Sequence, residues 1–385
     1  MKKRILITNG HMKVGGVEKS LVNLLNAIDY SKYCVDLILF EGTGEYFTDI
    51  PKEVNVIICD LTETYGNILQ VIWKSFPNIK NISRKMVLML AGKINQKYLR
   101  YLVKTGEYDV ALAYRVGIPM DFISYGVKAK KKYFWWHHGE FNYPDWQVKH
   151  WQESARNMNG IIYVSKSIRD IVEPHFSGYL KESYIVPNSI SKQEISSKAE
   201  EDLYLPNSRW VIVSAGRFSE EKHMKDCVFV AKELNDRGYR DFRWYLLGDG
   251  PEKERTYRQI IELGLQNNVV CLGNIANPYP YFRIADIVVH PSFVESQGIT
   301  VLEAMSLGKL VVAVDSNGVK EYASDHENAL IAEKSVESLT QKIIEGFTLN
   351  ELAKKSICDA AEKTADLYCS ETIMQQIERD LFGGQ

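Results

Sequence analysis

Apolar positions along this chain follow two patterns. Short runs rich in Val, Ile and Leu occur at 4–8, 35–40, 54–59, 110–114, 132–136, 160–164 and 183–186, and again at 210–215, 243–247, 269–272, 287–290 and 310–314. Between them the period shifts toward 3.6, as at 16–28, 224–237 and 300–306. Apolar runs bounded by turn residues predict strands buried on both faces. Their alternation with amphipathic helices predicts parallel sheets covered by helices. The series restarts after a polar stretch, SISKQEISSKAEEDLYLPNSR, which places a boundary near residue 190. The expectation is an α/β protein of two Rossmann-like, doubly wound domains, 1–188 and 189–365, facing each other across a cleft. Open α/β sheets bind ligands at the carboxyl ends of their strands, so candidate chemistry belongs just after strands.

A chain of 385 residues is long for one core, which agrees with two domains. The apolar share of 45% and charged share of 25% are those of an ordinary globular protein. Six scattered cysteines without a CxxC pair predict reduced side chains and a cytoplasmic location, and exclude a zinc ribbon or disulfide frame. The opening MKKRILITNG reads as a basic head and a buried strand, not a signal peptide. No run approaches the ~20 apolar residues of a membrane span.

Net charge changes the picture more. Residues 1–188 carry 25 Lys and Arg against 18 Asp and Glu, and the remainder carries 22 against 31. From 64 to 106 there is no acidic residue, whereas eight basic ones alternate with apolar residues including Trp73. Lys128 and Lys130 to Lys132 add to this half. Basic amphipathic helices bearing Trp dock on anionic membranes. Peripheral contact of 64–106 with the inner face of the cell membrane is therefore one expectation. The competing reading is two helices with core-facing apolar sides and solvated lysines. A nucleic-acid partner is not expected, because the chain is net acidic and lacks a known module.

Four stretches carry candidate chemistry. In VESQGITVLEAMSLGK, Glu295 precedes Gly298 at a predicted helix start, and Glu303 lies within the apolar run VLEAM. Glycine at a helix N-terminus offers unpaired N–H groups to an anion, and carboxylates accept hydrogen bonds from vicinal hydroxyls. In SAGRFSEEKHMKD, Arg217 and Lys222 follow a strand. They suit a diphosphate, or else form solvated pairs with Glu220 and Glu221. In NGHMKVGGVEKSL, Gly15 and Gly16 permit close backbone approach or simply a tight turn. The spacing is neither GxGxxG nor a P-loop. In YFWWHHGEFNYPDWQVKHW, Trp136, His137 and His138 stand at a strand end among aromatics, which suits sugar C–H faces or a core.

Together GGVEKSL, WWHHGEF, VSKSIRD, VPNSI, SAGRFSEEKHMKD, LLGDGPEKE, CLGNI, ADIVVHPSFVESQGITVLEAMSLGKLVV and SNGVKEY resemble, in order and spacing, the retaining glycosyltransferases of family 4, with the GT-B fold. The wording of ESQGITVLEAMSLGK is similar to bacterial capsular and exopolysaccharide enzymes. The resemblance covers most of 1–332. It implies that Arg217 and Lys222 hold a nucleotide diphosphate, Glu303 its ribose and Glu295 the donor-sugar hydroxyls. By the same resemblance the amides of Gly298 and Ile299 would complete these contacts, Ile275 would join the donor site, and Ser296 and Gln297 would line the sugar pocket. The Gly15–Gly16 loop would close over the diphosphate. His137 would lie beside the reacting sugar, with Trp136 and His138 on the acceptor side. Segment 366–385 is expected to cross back to the first domain. The sequence departs from the family at Leu310 (usually Pro), Asn317 (usually Gly) and Ala329 (usually Gly). No Asp-Xaa-Asp triplet occurs, so neither a metal nor any other cofactor is expected. The expected partners are a nucleotide-sugar donor, UDP-linked by preference, and a glycan or lipid-linked acceptor. The alternative is a non-catalytic carbohydrate-binding partner of another transferase.

Overall fold

The computed structural model describes residues 2–59 and 107–383, so the basic segment 64–106 lies outside the described residues. The described strands form two sheets, each wholly parallel. The first runs β3-β2-β1-β4-β5-β6-β7, from β1 Lys3–Asn9, β2 Tyr33–Leu39, β3 Asn55–Ile58, β4 Tyr108–Ala113, β5 Ala129–Trp136, β6 Gly160–Tyr163 and β7 Glu182–Ile185. The second runs β10-β9-β8-β11-β12-β13, from β8 Trp210–Ala215, β9 Phe242–Leu247, β10 Val269–Gly273, β11 Ile287–His290, β12 Val311–Val314 and β13 Leu330–Ala332. This is the expected α/β class with two Rossmann-like domains. Strand order reverses between β1 and β4 and between β8 and β11. These switch points open the crevices where such sheets take ligands.

The apolar runs are central because helices cover both sheet faces. Ile5, Leu6 and Ile7 of β1 are fully buried, as are Val311 to Val314 through β12. Each such side chain stabilises the fold by roughly 1.5–3 kcal/mol relative to exposure. The pattern did not predict β13, whose three residues, Leu-Ile-Ala, form an edge too short to stand out from a loop.

The chain crosses between the sheets twice, and the crossings touch. Ile190 bridges Cys369 in parallel fashion, and Ile190 N–H donates to Tyr368 O. Helix Lys192–Ala199 packs on the second domain through Ile195 and Ala199. Helix Ser370–Asp380 returns to the first core with Ile373, Met374, Ile377, Leu381 and Phe382. Lys3 Nζ donates to Phe382 O at 2.9 Å. Lys130 and Lys131 stand in β5, paired with Asp109 and Glu182, so they are engaged within the sheet.

Candidate active site

The second domain builds its site from two neighbouring strand ends. After β8 the chain passes Gly216 and Arg217 into a single 3-10 turn, Glu220–Lys222. After β11 it passes Pro291 and Ser292 into a loop that ends at Gly298, where helix Ile299–Ser306 begins. Lys222 Nζ approaches Glu295 Oε1 at 2.6 Å, and His290 Nε2 lies 2.9 Å from the same oxygen. Glu295 is 8% exposed. Burial alone would raise its carboxyl. The Lys222 charge and the His290 hydrogen bond overcome that and hold it well below the usual carboxylate range. Gly216, Lys222, His290, Glu295 and Thr300 line a cavity of about 40 Å³ at this edge.

Glu303 is placed in the fifth position of its helix and is 9% exposed. Its Oε1 accepts from the Tyr279 hydroxyl at 2.9 Å. Burial pushes its carboxyl up to about 7, against the Tyr279 bond and the Lys19 charge. The two glutamates therefore differ in kind: one is a fixed anion, the other a carboxyl near half-protonation at neutral pH.

The first domain closes on this edge. Lys19 Nζ lies 2.5 Å from Glu194 Oε1. A Cβ on Gly16 would stand 3.6 Å from Ile299 Cδ1, so the loop containing Gly15 and Gly16 faces the start of that helix. A Cβ on Gly139 would stand 3.2 Å from Ser296 N, so the turn after His138 abuts the Glu295–Ser296 backbone. His137 is buried beside Tyr114 and stacked on Trp135, with ring centroids 5.6 Å apart. Among the described residues neither of its ring nitrogens makes a well-formed hydrogen bond. Burial, then the neighbouring His138 and Arg115, keep it neutral at pH 7 by lowering its pKa. His138 is exposed.

Several expected residues are placed differently. Gln297 does not line a sugar pocket with its side chain. Both ends of its amide are bound to the Asn188 backbone, with Asn188 N–H donating to Oε1 at 2.7 Å and Nε2 donating to Asn188 O at 2.9 Å. Trp136 is fully buried against Phe141, Tyr143 and Trp151, so it cannot present a face to an acceptor; its Nε1–H supports His138 O. Arg217 is exposed and outside the lining of the 40 Å³ cavity. Ile275 is part-buried against the second domain's core. Sequence reasoning missed His290, Tyr279 and Asn188. His290 carried a signal, since it ends a strand five residues before Glu295. Tyr279 carried none, because only the fold brings it to Glu303. Among the described residues no cluster of three potential metal ligands occurs, and no helix is long and apolar enough to cross a membrane.

Residues 195–363 match the family model described as glycosyl transferases group 1. An uncharacterized glycosyltransferase of Methanocaldococcus jannaschii is 29% identical over 220 residues, covering 54% of this chain and 53% of that one. The N-acetylgalactosamine-N,N'-diacetylbacillosaminyl-diphospho-undecaprenol 4-alpha-N-acetylgalactosaminyltransferase of Campylobacter jejuni is 25% identical over 218 residues, covering 56% and 58%. The chain thus spans about half the length of these curated relatives. Among solved structures, TarM of S. aureus, in complex with fondaparinux, alpha-GlcNAc-glycerol and UDP, has a TM-score of 0.74 at 15% identity, covering 98% of this chain and 99% of that one. Anabaena HepE, in complex with UDP and glucose, has a TM-score of 0.73 at 19% identity, covering 98% and 99%. The architecture is therefore that of the GT-B glycosyltransferases, and the second domain, over 195–363, matches glycosyl transferases group 1.

Proposed function

We propose that this protein is a retaining glycosyltransferase. It would move a hexose or N-acetylhexosamine from a nucleotide-sugar, a UDP-sugar by preference, to a glycan or lipid-linked acceptor in bacterial surface polysaccharide synthesis. The observation that carries the reading is the pair of buried glutamates flanking the Gly298 helix start, one gripped by Lys222 and His290 and the other by Tyr279. Diphosphate oxygens would take the Lys222 ammonium, Arg217 and the N–H groups of Gly298 and Ile299. Charge developing on the leaving diphosphate would be stabilised there without a metal. Glu303 would accept from the ribose diol and Glu295 from donor-sugar hydroxyls. Among the described residues no carboxylate is an obvious nucleophile. Attack from the face that the diphosphate leaves, with a donor phosphate oxygen taking the acceptor proton, fits the residues present. Neutral His137 would lie beside the reacting sugar and His138 toward the acceptor.

The named relatives support the class. One acts on an undecaprenyl-diphosphate-linked glycan by name, and an S. aureus relative is a poly(ribitol-phosphate) alpha-N-acetylglucosaminyltransferase. A calorimetric panel of UDP-, GDP- and ADP-sugars, followed by NMR of the anomeric configuration of the product, tests the reading. Binding of a UDP-sugar and an axial product from an axial donor are expected; no binding of any nucleotide would end it. Contact of 64–106 with anionic membrane is part of the proposal, and liposome flotation tests it: equal failure to float with and without anionic lipid would remove it.

A further inference from the structure

We propose that His223 is a positioning residue that holds Lys222 against Glu295 by tying the loop after β8 to the loop after β11. His223 is a non-glycine residue at φ 51, in the left-handed region, and it ends the turn that carries Lys222. Non-glycine residues adopt that conformation uncommonly and at some cost, which surrounding contacts offset. Here two contacts do so. His223 Nδ1 lies 2.9 Å from Asp226 Oδ2, at the start of the following helix. Its ring also lies flat on Phe293, with centroids 3.5 Å apart and planes at 15°. Phe293 stands two residues before Glu295, and His223 one residue after Lys222. A single ring thus joins the two loops whose side chains meet at 2.6 Å. A second tie runs beside it, from Ser292 Oγ to Glu221 O at 3.3 Å.

Glycine would adopt this backbone without strain. What glycine lacks is the ring, and the ring is the part that reaches the Glu295 loop. Lys222 is a long, flexible cation, and holding it in one geometry requires its backbone to be fixed. The stack fixes that backbone through the residue next to Lys222. The functional half of this inference rests on the donor reading given above. The positional half does not, because the Lys222–Glu295 contact exists without ligand.

The full-length protein separates the two halves. Amine labelling of Lys222, read by mass spectrometry without ligand, reports how firmly the ammonium is held. Glu295→Gln should set the upper limit. His223→Gly should raise Lys222 labelling about threefold or more toward that limit, and Phe293→Leu should do the same with the histidine intact. Labelling of Lys222 that stays at the wild-type level in both variants would overturn the proposal. UDP titration supplies the second readout. His223→Gly should weaken UDP binding by about five- to twentyfold in the wild-type background and by less than about twofold in a Lys222→Ala background. A full additive loss in that background would mean that His223 acts without Lys222 and would also overturn it. If wild-type protein binds no UDP while Lys222 labelling still responds to His223→Gly, the donor reading falls and the positioning role stands.

Discussion

Glu295 and Glu303 are shifted in opposite directions, and the two shifts make opposite predictions. Glu303 binds its proton more tightly in the folded chain, at about 7, than its ordinary value of 4.5 allows when unfolded. Between those values the folded state holds more protons, so stability falls as pH rises across that window and levels off above it. The cost at pH 8 is on the order of 3 kcal/mol, and Glu303→Gln should remove it, giving a flatter stability profile in denaturant melts from pH 5 to 8. On the proposed donor reading a ribose diol would donate to the ionised form, so UDP affinity should rise toward tenfold per pH unit below pH 7. Glu303→Gln should bind weakly and without that slope. Calorimetry in two buffers of different ionisation enthalpy would detect the released proton, and its absence would count against a diol at Glu303. Glu295 has the reverse sign: its stabilisation is present above the ordinary value of 4.5 and is lost as pH falls. Removing its partner by Lys222→Ala leaves a buried anion with His290 alone, at a cost of about 3 kcal/mol in urea unfolding. Glu295, Glu303 and Lys222 could be read from the sequence because charged groups beside an apolar run, just after strands, need a reason to be there. Gln297 was misjudged because its amide is taken by a backbone from the other domain, which no local pattern reports.

Short loops, more than helices, shape the Glu295–Gly298 segment. Gly298 sits at φ 83 as the residue before helix Ile299–Ser306 and accepts at its carbonyl from the Tyr322 hydroxyl at 3.0 Å. Gly318 N–H donates to Glu295 O at 3.1 Å. A Cβ on Gly318 would stand 2.4 Å from Gln297 N, a backbone atom that cannot swing aside. Gly318→Ala should therefore displace the loop by several tenths of an ångström. We expect it to fold, to lose about 2 kcal/mol and to bind UDP at least about tenfold more weakly. Wild-type affinity in that variant would show that the 316–322 loop does not support the site. The sequence departs from its family resemblance at Asn317 but keeps glycine at 318, the position where packing forbids a side chain. The two parallel sheets were readable because their central strands, covered on both faces, are apolar almost throughout, whereas the edges β3 and β7 are only partly buried. Strand β13 was not, since three residues at an edge carry too little pattern. The pairing of Lys130 and Lys131 across β5 was equally hidden, because it depends on which strands become neighbours.

The two domains are locked together around the site, and the lock borrows a helix end. Glu321 belongs to the second domain, one turn beyond Gly318. Its carboxylate accepts from the backbone N–H of Lys166 at 2.8 Å and from that of Ser167, the first residues of helix Lys166–Phe176 in the first domain. Ser167 Oγ adds a bond to Asn317 O at 3.1 Å. Carboxylates at helix N-termini satisfy unpaired donors and complement the helix dipole. This one does so across the interdomain boundary, so the stabilisation exists only while the domains are closed. The Gln297–Asn188 pair and the Lys19–Glu194 ion pair act across the same boundary. The cavity beside Lys222 and Glu295, lined by second-domain residues, holds about 40 Å³, far below the ~300 Å³ of a small-ligand pocket, so a nucleotide-sugar donor of the proposed kind would need this edge to open and re-close around it. Glu321→Gln should weaken the closed state by ~1 kcal/mol and Glu321→Ala by somewhat more, and Glu321→Asp should recover little because its side chain is one methylene short. Hydrogen exchange at the Lys166 and Ser167 amides should then accelerate, and small-angle scattering should show a larger radius of gyration for Glu321→Ala. Saturating UDP should reverse part of that expansion, because a ligand bound between the domains favours the closed form by its differential affinity. Unchanged exchange and scattering in Glu321→Ala would mean that the Ser167–Asn317, Gln297–Asn188 and Lys19–Glu194 contacts hold the domains without it. Faster exchange with unchanged scattering would confine Glu321 to capping one helix and remove it from closure.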